Sequence, residues 1–124
     1  MWIKFNPNPE GNSVGDCVIR AICAATDQNW DFSYIGLVLL GLQMKDMPSS
    51  NRVWGEYFKQ RDFRRFIIPD TCPHCYTISN FCDDHPNGMF VLATGTHVVT
   101  VIDGNYYDNW DSGSEIPVYY WRKE

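Results

Sequence analysis

Cys17 follows Gly15-Asp16 at what reads as the first turn of an N-terminal helix. A thiol in that position feels the positive end of the helix dipole and nearby unpaired N–H groups. Both lower its pKa and favour the nucleophilic thiolate. Eighty residues later, His97 stands just after the turn Gly95-Thr96 and opens the apolar run Val98-Val99-Thr100-Val101-Ile102. An imidazole carried there to Cys17 would form an ion pair with it and serve as general base and acid. Read alone, Cys17 is more simply a small buried residue, the role expected of Cys23.

A third member comes from hairpin arithmetic. Asp103-Gly104 is a strong type I′ signal. As a two-residue loop it sets Ile102 opposite Asn105 and His97 opposite Trp110. Asp108 then shares a face with His97 as its diagonal neighbour, about 7–8 Å away between backbones and within side-chain reach. Its carboxylate would fix the imidazole tautomer and leave the other ring nitrogen for Cys17. A three-residue loop would invert the parity and offer Asn109 or Asp111 instead.

A second cluster competes for attention. Cys72-Pro73-His74-Cys75, Cys82 and His85 read as C-x2-C-x6-C-x2-H, four soft ligands suited to tetrahedral zinc. The bland reading is a surface turn and then a helix with Cys82 facing the core. The same Cys72–Cys75 pair follows a strand and precedes a helix, as in thiol–disulfide oxidoreductases, with Ile116-Pro117 where a cis-proline would sit. That reading needs a further strand and helix after Pro117. Arg20 is expected to pair with Asp16 or Asp111, and Trp30, Tyr34 and Trp54 to be core aromatics. The acidic residues Asp108, Asp111 and Glu115 look like a strand end and a turn rather than a cation site.

Local signals define the elements that must carry these groups. Ser13 or Asp16 can cap a first helix whose apolar stripe is Val18, Ile22 and Ala25. Asp31 or Ser33 can cap a second, Phe32 to Met44, apolar nearly all round. Ser49 or Ser50 can cap a third, with Val53, Trp54, Tyr57 and Phe58 on one face. Phe66 to Ile68 reads as a strand closed by Pro69, and Thr77 to Asp84 as a short helix. Strands follow at Met89–Thr94, His97–Ile102, Asn105–Trp110 and Pro117–Trp121.

The 124 residues suffice for one domain. Ten Lys and Arg against fifteen Asp and Glu give a net charge of −5, which opposes nucleic-acid binding. The basic run Lys59 to Arg65 reads as a solvated helix end or edge strand. The longest apolar run, Ile35 to Leu42, is too short for a bilayer. No secretory signal opens the chain, so a cytoplasmic location with reduced thiols is expected.

The pattern resembles the papain-like cysteine peptidase superfamily. The carrying residues are Gly15-Asp16-Cys17, Gly95-Thr96-His97-Val98-Val99 and Asp108-Asn109-Trp110. The Asp-Cys start is similar to compact bacterial members such as the double-glycine leader peptidases. Gly-Asp-Cys-Val-Ile-Arg-Ala-Ile and Tyr-Tyr-Asp-Asn-Trp-Asp-Ser-Gly also resemble small proteins of Firmicutes and their phages. The resemblance implies a Cys17 nucleophile, a His97 base, an orienting Asp108, and Trp110 shielding the His97–Asp108 contact. It further implies an oxyanion site made by the Cys17 N–H and a side-chain amide from the preceding loop. Where the family carries Gln six residues before the Cys, this chain has Gly11; Asn12 is the nearest carboxamide and Asn8 a more remote one.

The expectation is therefore a single α+β domain over residues 1–124, of compact papain-like type. N-terminal helices carry the Cys and a C-terminal antiparallel sheet carries the His. It would be a cysteine hydrolase or acyl transferase acting on a peptide, isopeptide or amide, using Cys17, His97, Asp108 and Asn12 without a cofactor. No nucleic acid or membrane is expected as partner, and the oligomeric state is open. Two alternatives stand beside it: a catalytically weak binding module on the same fold, or a domain stapled by zinc at Cys72, Cys75, Cys82 and His85.

Overall fold

The computed structural model describes residues 1–123. In chain order the elements are β1 (Trp2–Lys4), α1 (Cys17–Thr26), α2 (Trp30–Met44), α3 (Asn51–Lys59), β2 (Phe63–Ile67), α4 (Ile78–Asp84), β3 (Met89–Ala93), β4 (Val98–Ile102), β5 (Asn105–Asp108) and β6 (Tyr119–Lys123). The β4–β5 hairpin has the expected two-residue loop. Asp103 and Gly104 both take positive φ, 50° and 77°, as a type I′ turn demands, and Ile102 pairs with Asn105.

From this hairpin a six-stranded sheet extends in the order β1-β5-β4-β3-β6-β2. Its central strands are antiparallel, but β1 joins β5 in parallel, so the sheet is mixed. The architecture is α+β, yet the expected order of helices first and strands last is corrected at the N-terminus, where Trp2–Lys4 is a strand too short for its alternation to register. The strand expected at Phe66 to Ile68 starts three residues earlier, over Phe63–Ile67, and is the outer strand, paired with β6. The basic run lies where expected, across the end of α3 and that edge strand.

The sheet is covered on both faces. Val91, Ala93 and Val98 pack with α1, α2 and α3 around Ile22, Leu37, Trp54, Tyr57 and Phe58. Phe90, Leu92, Val99 and Val101 turn the other way, onto Ile78, Phe81 and Cys82 of α4. This alternation is the period-two rule of a strand applied to two cores. Each fully buried large side chain contributes roughly 1.5–3 kcal/mol, and Trp54, Tyr57, Phe58 and Phe81 are all at most 2% exposed.

Caps explain where the helices begin. Ser50 caps α3 by accepting from the Val53 N–H, and Thr77 and Asn80 form a reciprocal capping box on α4. On α2 the cap is Asn29, which accepts from the Phe32 N–H, so the helix starts two residues ahead of the expected Phe32; Asp31 and Ser33 lie inside it. Asp16 occupies the N-cap position of α1 but makes no side-chain cap bond. Its carboxylate is engaged elsewhere.

Among the described residues no helix is long and apolar enough to cross a membrane. Cys72 and Cys75 form a disulfide, which corrects the expectation of reduced thiols throughout. The turn closed by the His74 N–H on the Thr71 carbonyl, at 3.0 Å, brings the pair together. The chain's cis-proline is Pro73, with Cys72 before it, and not Pro117.

Candidate active site

The site begins where α1 meets the mouth of β4. Thr94 organises that mouth: its hydroxyl accepts from the N–H groups of Thr96 (3.1 Å) and His97 (2.9 Å). The Thr94 N–H donates to the His97 carbonyl at 2.8 Å. The turn thus holds His97 against the end of α1. Its imidazole comes beside Cys17, the first residue of that helix, and the two side chains line one cleft.

Asp108 is the carboxylate that reaches His97. Register pairs Ile102 with Asn105 and Thr100 with Tyr107, leaving Asp108 diagonal to His97, and His97 Nε2 lies 2.5 Å from Asp108 Oδ2. Nε2 being committed, Nδ1 is the nitrogen left for the thiol. The two alternatives point elsewhere. Asn109 donates to the Ser13 hydroxyl at 3.3 Å, and Asp111 accepts from the Tyr106 hydroxyl and the Gly113 N–H.

Asp108 is held from every side. Arg20 Nη2 donates to Oδ1 at 3.0 Å, the Asn109 N–H to Oδ1 at 2.9 Å, and the Ser112 hydroxyl to Oδ2 at 2.7 Å. Its carbonyl accepts from Trp2 Nε1 (3.0 Å) and the Phe5 N–H (2.8 Å), so the unforeseen β1 is one of its supports. Arg20 also binds Asp16, whose other oxygen accepts from Trp30 Nε1 at 2.8 Å. Arg20 therefore joins Asp16 to Asp108, and the expected mate Asp111 is not its partner. Ser112, wholly buried, escaped sequence reading because it lies in a stretch that signals only a turn.

The electrostatics favour an ion pair. Burial pushes the Cys17 thiol up, but hydrogen bonds to His97 and the Val98 backbone, with the charges of His97 and Arg20, overcome it and lower the pKa below 9.0. For His97, burial works downward, yet the bonds to Asp108 and Cys17 and their charges raise it to about 9. Asp108 is opposed by burial and still lowered, through His97, Ser112 and Arg20. Each shift stabilises the charged form. Cys23 behaves oppositely: buried beside Ser33, its thiol is pushed up, so it is the inert cysteine expected.

A cleft of about 330 Å³ opens over Cys17 and His97. Tyr34, Leu37, Val38 and Trp54 form one wall, and Thr94, Gly95 and Thr96 the other. Trp54 is the core aromatic expected, whereas Tyr34 is 45% exposed and lines the cleft, stacked on Trp30. Trp110 lies against His97 with ring centroids 5.0 Å apart. Asn12 is exposed and does not line the cleft, so the expected oxyanion donor is not brought to it. The carboxamide that does line it is Asn51, whose Oδ1 accepts from Trp54 Nε1 at 3.0 Å, leaving its NH2 to donate. Nothing in the sequence around Asn51 singled it out.

The zinc set does not converge. Cys72 and Cys75 are bonded to each other, Cys82 is buried against the sheet, and His85 stacks on Phe81 with Nδ1 2.8 Å from the Phe81 carbonyl. Among the described residues no group of three or more His, Cys, Asp or Glu is placed to hold a metal ion.

The chain matches no family model, and neither a curated protein nor a solved structure gives a match.

Proposed function

We propose that the protein is a cysteine-dependent hydrolase or acyl transferase of compact papain-like type, acting on a peptide, isopeptide or amide. The observation that carries this reading is the juxtaposition of Cys17 and His97 in an open cleft, with the buried Asp108 carboxylate bonded to His97 Nε2 behind them. A structural cysteine has no use for a buried imidazole raised to about 9 by a carboxylate behind it.

In this reading the Cys17 thiolate attacks the carbonyl carbon, forming a C–S bond and a tetrahedral oxyanion. The first-turn N–H groups of α1, which lack intrahelical acceptors, face the developing charge. His97 gives its proton to the leaving amine as the C–N bond breaks, and a thioester remains. Neutral His97 then takes a proton from water, or from an acceptor amine, which attacks the thioester. Collapse expels the thiolate and restores the ion pair. Asp108 keeps Nδ1 aimed at the sulfur throughout.

A second reading, a binding module on the same fold, is favoured by Asn12 lying off the cleft. Losing one oxyanion donor costs roughly 10²–10³ in rate. The deciding experiment is site-resolved alkylation of Cys17 across pH 5 to 9, in the wild type and in His97→Ala. An activated site reacts well below the ordinary thiol range and loses that advantage in the variant. Ordinary reactivity in both would leave only the binding module.

A further inference from the structure

The second helix has a face that no element of the chain covers. Ser33, Leu37, Leu40 and Gly41 are buried against the body. The opposite side is also apolar: Phe32, Ile35, Leu39 and Leu42 are 63%, 58%, 55% and 63% exposed, and Val38 and Met47 extend the strip. No charged residue occurs between Asp31 and Lys45. A helix apolar all round is normally enclosed all round. Contiguous exposed apolar patches on a monomer are often functional.

The two ends say what covers it. Asp31 and Lys45 are both exposed, and neither has an ion-pair partner among the described residues. They stand 14 positions apart, about 21 Å along a helix axis. A second copy laid antiparallel, with the twofold axis beside Val38, sets Asp31 of each chain against Lys45 of the other. The same operation sets Ile35 near Leu42 and Leu39 near Val38. A parallel arrangement would instead place like charges together at each end. An anionic bilayer would call for several flanking basic residues, and this strip has one, in a chain of charge −5.

We propose that α2 pairs with α2 of a second copy, antiparallel, through the Phe32–Leu42 strip, with Asp31–Lys45 ion pairs at both ends. The interface is isologous, since each chain offers the same patch. Tyr34 and Val38 also line the cleft over Cys17, so the partner helix forms the outer part of its rim. The pairing does not depend on the catalytic reading.

Sedimentation of the intact chain in reducing buffer tests it. The wild type should be a dimer at micromolar concentration, and Leu39→Glu a monomer with unchanged circular dichroism. Asp31→Lys should weaken the dimer about tenfold, and Asp31→Lys combined with Lys45→Asp should restore it. A wild type that stays monomeric through the micromolar range overturns the proposal, as does a dimer that Leu39→Glu leaves intact. Failure of the double exchange to restore affinity overturns the antiparallel pairing. A monomer that sediments with phosphatidylserine vesicles would give the strip to a membrane surface instead.

Discussion

Arg20 and Asp108 are 88 positions apart in the chain and 3.0 Å apart in the structure, both nearly inaccessible. Through this contact the helix bearing Cys17 is tied to the strand that orients His97. The guanidinium fork also holds Asp16, immediately before Cys17. One buried cation thus sets the distance between two halves of a site that come from opposite ends of the sequence.

Replacing that cation tests the tie. Arg20→Met should destabilise the fold by roughly 3–5 kcal/mol, because two buried carboxylates lose their counter-charge. The loss would appear as a lower urea midpoint with little change in slope. A variant as stable as the wild type would mean that water already shares the site.

Asp108→Asn keeps the shape and removes the charge. His97 should then titrate below its present value of about 9, and Cys17 alkylation at mildly acidic pH should fall toward that of an ordinary thiol. The imidazole resonances followed by NMR against pH report the first effect. An unchanged His97 titration would show that Cys17, and not Asp108, holds it protonated.

Stability should carry the mark of the ion pair. His97 is raised from 6.5 to about 9, so its protonation stabilises the fold fully below pH 6.5, a contribution lost as pH rises through about 9. Cys17 is lowered from 9.0, so its thiolate contributes above pH 9.0, a contribution lost as pH falls through the folded value. Above the folded Cys17 pKa and below about pH 9 the folded chain holds an extra proton on His97 and lacks a proton on Cys17, and the two slopes oppose each other. Wild-type melting temperature should therefore be nearly level over that window. In Cys17→Ser only the His97 slope remains, and the melting temperature should fall with rising pH. Two equally flat profiles would dissolve the pair.

Gly113 is a packing test beside the site. A Cβ there would meet the Tyr106 hydroxyl at 2.4 Å and the Ser79 hydroxyl at 2.5 Å. Gly113→Ala should cost about 1–3 kcal/mol by overpacking and disturb the neighbouring Ser112 bond to Asp108. Thermal denaturation gives the first, and Cys17 alkylation the second.

The Cys72–Cys75 disulfide lies apart from these groups. Cys72→Ser with Cys75→Ser should leave the pH profile of Cys17 alkylation unchanged. A shifted profile would connect the two sulfur sites.

What the sequence determined by itself lies in short windows. Helical stripes such as Val18, Ile22 and Ala25, the caps Ser50 and Thr77, and the Asp103-Gly104 turn are local preferences, strong enough to act before anything packs. The turn was the most informative, because its two-residue length fixes side-chain parity and so brings Asp108 rather than Asn109 or Asp111 to His97. Partner choice among groups already in reach was decided only by the tertiary structure. Asp16 sits where a cap belongs, yet its carboxylate turns to Arg20 and Trp30, because a buried cation is costlier to leave unpaired than a helix N–H. Asn12 had the right chemistry in the preceding loop, but the path of residues 6–12 keeps it off the cleft, and Asn51 from a distant helix lines it instead. Trp2–Lys4 became a strand because β5 offered an open edge, an opportunity that three residues cannot announce. Periodicity and turn chemistry are properties of neighbours in sequence; burial, charge compensation and sheet edges belong to neighbours in space.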